Sequence, residues 1–176
     1  MASMRPQGLA RKPGLVNLQT AAPTFLCDST VGALARVLRI LGFDVAFSYD
    51  NTINQLIRES NISGRFLITT SHAIDERSIA RNAIRVPQEC TELQLECIEA
   101  RIPLTSWIAP FTRCIRCNES LREIRKDRIR EMVPPYIWDT YSRFLICPGC
   151  GHVYWPGSHR EGMVEEMMSE ELMNDE

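Results

Sequence analysis

Two Cys-x-x-Cys pairs constrain this chain more than any other feature of its sequence: Cys114 with Cys117, and Cys147 with Cys150. Two such pairs supply four thiolates, which is the donor set of a closed tetrahedral Zn²⁺ site. Because four protein ligands leave no position for a water molecule, the predicted metal is structural rather than catalytic. The alternative interpretation is a pair of disulfides or a dithiol redox centre.

The number of cysteines bears on that choice. Seven is an odd number, and the chain does not begin with the charged and apolar pattern of a secretory signal. We therefore predict a reducing, intracellular compartment, in which a metal site is favoured over disulfides. The other cysteines, Cys27, Cys90 and Cys97, are interpreted as ordinary thiols. No apolar run approaches the roughly 18 residues of a membrane span, so we expect no membrane contact.

Charge is distributed unevenly along the sequence. Residues 1–24 carry three bases and no acids, residues 25–160 carry 17 bases and 15 acids, and residues 161–176 carry seven acids and no bases. Residues 1–23 are interpreted either as a disordered leader or as a mitochondrial or plastid transit peptide; without such a peptide, the chain is expected to be cytoplasmic. Residues 161–176 form an acidic tail, either an amphipathic helix or a disordered segment.

Hydrophobic periodicity predicts an α/β domain between residues 24 and 110. The predicted strands cover residues 25–27, 45–49, 66–69 and 84–86, and the predicted helices cover residues 31–41, 51–60, 73–82 and 91–101. This alternation is typical of a mainly parallel sheet covered by helices. Functional sites in such sheets lie at the carboxyl ends of the strands, where Asp28, Asp50 and residues 69–72 fall.

The cysteine module, residues 111–160, contains a basic segment. We predict a helix over residues 119–131 and an extended segment over residues 133–136. Residues 113–130 hold seven bases against three acids. Charge alone fits either phosphate contact or a solvated helix face, and nearby aromatic residues could stack on bases or pack a small core. The candidate RNA-binding residues are Arg36, Arg113, Arg116, Arg125, Lys126 and Arg128.

Two stretches carry a family resemblance: FLCDSTVGALARVLRILGFD at residues 25–44, and VPPYIWDTYSRFLICPGCGHVYWPGSH at residues 133–159. Together they resemble the Mut-seven C-terminal ribonuclease family over residues 24 to about 163. The resemblance implies a PIN-like domain followed by a zinc ribbon, with Zn²⁺ on the four cysteines. It also implies that the chain acts on RNA, alone or within a ribonucleoprotein or ribosomal assembly.

The resemblance weakens at the acidic positions. PIN-like nucleases gather three or four carboxylates to hold Mg²⁺ or Mn²⁺, which activates water and neutralises developing charge. Asp28 matches the first position, but Asn54 and Ser71 match the second and third. Asp50 and Asp75 are candidate replacements. Mg²⁺ or Mn²⁺ is expected only if they restore catalysis. Asp28 has an alternative role as the N-cap of the following helix.

Three functions follow. The favoured one is a catalytically degenerate RNA-binding or ribonucleoprotein-assembly subunit, because a neutral amide and hydroxyl bind divalent metals less well than carboxylates. The second is an active metal-dependent ribonuclease that uses Asp28 with Asp50 or Asp75. The third is a protein-interaction adaptor.

Overall fold

A four-stranded parallel sheet organises the first part of the chain. The computed structural model describes residues 21–75 and 82–156. The elements of this part are β1 (Thr24–Cys27), α1 (Gly32–Ile40), β2 (Asp44–Phe47), α2 (Ile53–Ser63), β3 (Phe66–Thr69), β4 (Ala83–Arg85) and α3 (Thr91–Glu99). The strand order is β2-β1-β3-β4, and every neighbouring pair is parallel. The predicted α/β fold is confirmed.

Alternate residues of the central strand β1 point to opposite faces of the sheet. Phe25 and Cys27 pack in the larger hydrophobic core, together with buried residues of α1 and α3. Leu26 faces the other way and packs with Leu56 and Ile57 of α2. Because the side chains of β1 alternate between the two faces of the sheet, helices pack on both faces. The ends of the strands are therefore the accessible parts of the sheet.

Helix α1 follows β1 through a short 3-10 turn, Ser29–Val31, which the Asp28 side chain caps. The chain leaves the helix at Gly42, whose φ of +97° favours glycine. A Cβ at this position would lie 2.1 Å from the carbonyl oxygen of Ala109. Gly42 therefore both ends the helix and admits the segment that leads into the cysteine module.

A small antiparallel sheet forms the cysteine module. Its strands are β5 (Arg122–Ile124), β6 (Phe144–Ile146) and β7 (Val153–Tyr154), with β6 in the centre. Between β5 and β6 the chain forms a short helix, α4 (Pro135–Thr140). Buried Ile129, Val133 and Ile137 pack this insert against Phe144 and Val153 of the sheet.

Two predictions in this module are wrong. The predicted helix over residues 119–131 is replaced by β5 and a 3-10 turn at Lys126–Arg128, because pairing with β6 overrides the local preference for helix. The predicted extended segment over residues 133–136 holds only to Pro134, since α4 begins at Pro135. Proline suits the first helical position, where its missing N–H costs no hydrogen bond.

Some predictions reach residues that the structure does not describe. The helix predicted over residues 73–82 begins as a 3-10 turn at His72–Ile74, and residues 76–81 lie outside the described part. The predicted leader, up to residue 20, and the acidic tail also lie outside it. Within residues 21–75 and 82–156, no helix has the length and apolar character that a membrane span requires.

Candidate functional site

The two cysteine pairs form turns of the same geometry. In each turn the residue four positions after the first cysteine has a left-handed backbone: Asn118 with φ +69° and Gly151 with φ +72°. Its N–H donates to the carbonyl of that first cysteine, at 2.8 Å for Cys114 and 2.9 Å for Cys147. Asparagine and glycine tolerate this conformation best, which explains why Asn118 and Gly151 directly follow the second cysteine of each pair.

The four sulfur atoms converge on one point. All lie within 4.8 Å of one another; the Cys114 to Cys150 distance is 3.6 Å and the Cys117 to Cys147 distance is 3.3 Å. Zn–S bonds of about 2.3 Å in a tetrahedron place sulfurs about 3.8 Å apart. The chemistry of the donor set and its dimensions therefore fit structural Zn²⁺, as the spacing predicts.

The electrostatic coupling of the sulfurs also favours a bound cation. Burial opposes ionisation of Cys114, but the Tyr154 hydroxyl and nearby backbone amides outweigh it and lower the pKa of Cys114 to about 6. For Cys117 the amide of Glu119 favours the thiolate, yet burial and the neighbouring sulfurs raise its pKa to about 12. Adjacent sulfurs resist carrying negative charge together, and a bound cation removes that cost.

The first cysteine turn packs directly against the α/β domain. Arg39, buried in α1, donates to the carbonyl of Val45 through Nε and Nη2 at 3.1 and 2.7 Å, and to that of Ile115 through Nη1 at 3.0 Å. In return, the amide N–H of Val45 donates to Oδ1 of Asn118 at 2.9 Å. This first cysteine turn, residues 114–118, is called the metal turn below. Because β2 is an edge strand, the metal turn occupies backbone groups that a further strand would otherwise pair.

A charged cluster closes the same junction. Asp44 accepts hydrogen bonds from Arg65 at 2.7 Å and from the Asn118 amide at 2.8 Å, and Arg113 lies 3.6 Å away. Partial burial raises the pKa of Asp44, but these donors and positive charges outweigh it, so the pKa lies below its usual value. Arg113, predicted as an RNA contact, is thus already engaged within the protein.

The second candidate site lies at the carboxyl ends of β1 and β3. In the order β2-β1-β3-β4 the chain adds β2 on one side of β1 and β3 on the other, so the strand order reverses between β1 and β3, which is where ligands bind in open α/β sheets. Asp28 lies there and is only 9% exposed. Its Oδ1 accepts from the backbone and hydroxyl of Thr30, and its Oδ2 accepts from the Thr69 hydroxyl. Asp28 therefore caps the 3-10 turn and also bridges two strand ends.

The other candidate acids do not join Asp28 in a cluster. Asp75 instead forms an ion pair with Arg85, in which its Oδ2 lies 2.8 Å from the Arg85 Nε. Asp50 is exposed after β2. Among the described residues, the four cysteines are the only group of three or more His, Cys, Asp or Glu side chains placed to hold a metal ion.

Asn54 and Ser71 stand where the family resemblance leads one to expect acidic residues. Asn54 is exposed in the first turn of α2. The Ser71 hydroxyl accepts from the amide of Ala73 and caps the turn at His72–Ile74. Neither supplies a negative charge at the strand ends.

The remaining predicted RNA contacts lie at the surface. Arg36, Arg116 and Arg128 are exposed, Arg125 pairs with Asp127, and Lys126 lies 4.5 Å above the Trp138 ring.

Sequence reasoning missed Arg39 and Asn118, which join the two modules. Asn118 follows Cys117 directly, and that position was an available signal for a specialised turn residue. The partners of Arg39 lie up to 77 residues away along the chain, so no local pattern indicates them.

Comparison with protein families decides the relationship. A family model described as the Mut7-C RNAse domain matches residues 23–167, which is most of the chain. The chain belongs to the Mut7-C family. It is therefore of the ribonuclease type that acts on RNA, and the expected family is confirmed. No curated protein and no solved structure gives a significant match.

Proposed function

We propose that this Mut7-C chain is an RNA-binding or ribonucleoprotein-assembly subunit in which metal-dependent cleavage is lost. The observation that carries the proposal is the absence, among the described residues, of a carboxylate cluster around Asp28. The four-stranded parallel sheet and the four-cysteine cluster are nevertheless both present among these residues. A protein that keeps its framework without its acidic cluster is suited to binding RNA rather than cutting it.

The contacts of Asp28 support this proposal. Both carboxylate oxygens accept hydrogen bonds from within the protein, from Thr30 and from Thr69. Mg²⁺ is held in proteins by carboxylates together with substrate phosphates and water, and a single occupied carboxylate is a weak anchor. These contacts give Asp28 a structural role, which is to hold the connection between β1 and α1.

One observation favours the alternative, an active metal-dependent ribonuclease. Asp28 lies at the switch point with its orientation fixed by two hydroxyl groups, and such preorganisation is what a metal ligand requires. Catalysis would then need a further acid, either Asp50 or Asp75. Asp75 would have to leave Arg85 to contribute.

RNA binding is tested by titrating labelled RNA with the full chain at several salt concentrations, without added divalent metal. Phosphate contacts release counterions, so log K should fall linearly with log[salt], by about 0.7 per phosphate for a single strand. A protein-interaction adaptor would show no such affinity. The same samples on a denaturing gel report whether the RNA stays intact.

Three matched variants separate the predicted surface contacts from the effect of overall charge. Arg116→Gln and Arg128→Gln alter exposed predicted contacts, whereas Arg58→Gln alters an exposed cation of α2. We expect the first two to weaken binding and reduce its salt dependence. Equal effects from all three variants would mean that RNA responds only to net charge, and no measurable affinity of the unmodified chain would refute the proposal.

A further inference from the structure

A cavity of about 620 Å³ opens on the ribbon, and neither the four cysteines nor Asp28 line it. It lies between the segment that enters the cysteine module and the sheet β5-β6-β7. Its walls are aromatic and include Phe111, Phe144, Tyr154 and Trp155. Cavities of roughly 300 to 1,000 Å³ hold small ligands, so a single nucleotide fits within this volume.

Phe111 occupies an unusual place in the cavity wall. Its φ is +61°, a left-handed value that is unfavourable for a bulky residue. The backbone is held there because its N–H donates to the carbonyl of Ile40 at 3.2 Å. The ring also packs against the cluster around Ile40 and Tyr154. The junction of the two modules thus fixes one aromatic wall of the cavity.

Basic side chains outnumber acidic ones in the lining of the cavity. Arg125, Lys126 and Arg143 line it, against the single acid Glu123. Arg143 pairs with Glu123 and Arg125 pairs with Asp127, each at 2.9 Å, but these four side chains are all more than half exposed. Exposed pairs of this kind contribute little to stability, so a phosphate can replace each carboxylate at little cost. Arginine is also the side chain best suited to bind phosphate through two nitrogens.

We infer that this ribbon cavity binds one unpaired nucleotide of single-stranded RNA, an inference that rests on the proposed RNA-binding function. The base stacks on the aromatic wall at Trp155, and the adjoining phosphates contact Arg125 and Arg143. An aromatic face with cations beside it binds single strands because every base presents a π-face and every nucleotide a phosphate. A paired base cannot enter, so a duplex is excluded.

The test measures binding of a labelled single-stranded oligonucleotide and of a hairpin duplex to the full chain, without added divalent metal. Trp155→Ala should weaken single-strand binding about tenfold, whereas Trp155→Phe should restore most of it. Arg125→Gln with Arg143→Gln should reduce the salt slope by about 1.4, which corresponds to two phosphates. The control, Arg58→Gln with Arg101→Gln, alters cations outside the cavity and should leave the single-strand preference unchanged.

Zinc content and thermal melting of each variant show whether the ribbon stays folded. If Trp155→Ala loses zinc, the inference is tested instead by Trp155→Phe and by the double variant Arg125→Gln with Arg143→Gln. Salt-dependent RNA binding that none of the cavity variants alters would overturn the inference and leave the proposed function standing. No RNA binding by the unmodified chain would refute both. Trp155-dependent binding of an acidic peptide in place of RNA would assign the cavity to a protein partner and would also overturn the inference.

Discussion

The four-cysteine site and the strand-end site differ in how their residues are brought together. Each cysteine pair comes from one tight turn, and the two turns share backbone geometry and bring all four sulfurs within 4.8 Å. At the strand ends, by contrast, Asp28 meets Thr69, while Asp75 lies against Arg85. The metal site is complete from its own residues, whereas the acidic site has one carboxylate in place.

This difference is the basis of the proposed loss of catalysis. A structural metal site requires all of its ligands, because metal binding supplies the folding free energy of its module. A strand-end carboxylate can be retained for structure alone, since it caps a turn and joins two strands. Retention of Asp28 is therefore no proof of catalysis. Four experiments test this difference between the sites and the junction that joins the modules.

The largest effect is expected from Cys147→Ser. Structural Zn²⁺ contributes roughly 10 kcal/mol or more, so loss of one ligand should unfold the ribbon and release the metal. Zinc content and near-ultraviolet circular dichroism measure both events. Cys90→Ser is the control, because Cys90 is exposed and lies outside the cluster. Unchanged zinc content in Cys147→Ser would disprove the metal site.

A smaller effect is expected at the junction between the modules. Arg39→Ala removes hydrogen bonds to three buried or partly buried carbonyls and should lower the free energy of unfolding by about 3 kcal/mol. Arg36→Ala, on the exposed face of the same helix, should change it by less than about 0.5 kcal/mol. Urea unfolding compares the two. Equal costs would show that Arg39 does not hold the metal turn against β2.

Two substitutions at Asp28 separate its structural role from its charge. Asp28→Ala removes the cap and should cost about 1 kcal/mol, or more because Thr69 also loses its acceptor. Asparagine caps helices about as well as aspartate, so Asp28→Asn should cost less. Thermal melting measures the difference. If Asp28→Asn were as damaging as Asp28→Ala, the negative charge itself would be required for stability.

The smallest effect is expected in the pH dependence of the free energy of unfolding. The pKa of Asp44 is lowered in the folded state, so its contribution to stability is present above the unfolded value of about 4. That contribution is lost as pH falls through the lower, folded pKa. The difference in unfolding free energy between the unmodified chain and Asp44→Asn should therefore be constant near neutral pH and shrink below about pH 4. A difference that grows on acidification would contradict the assignment.

The sequence predicts those features whose cause is local. Periodicity predicts β1, α1 and β3, and the cysteine spacing predicts the metal ligands. The strand β5 was missed because its partner β6 follows about 20 residues later, and pairing at that distance decides against a helix. The contacts of Arg39 with the metal turn are longer in range still, and the walls of the ribbon cavity come from residues as far apart in the sequence as Pro110 and Pro156.

The most direct test of the proposed loss of catalysis is incubation of labelled, structured RNA with the purified full chain and Mn²⁺ or Mg²⁺. The unmodified chain is compared with Asp28→Asn and with a sample containing chelator. The proposal predicts that RNA is bound but left intact in every sample, and that Asp28→Asn binds as the unmodified chain does. Metal-dependent cleavage that disappears in Asp28→Asn would contradict it and would make Asp28 a ligand of a working nuclease site.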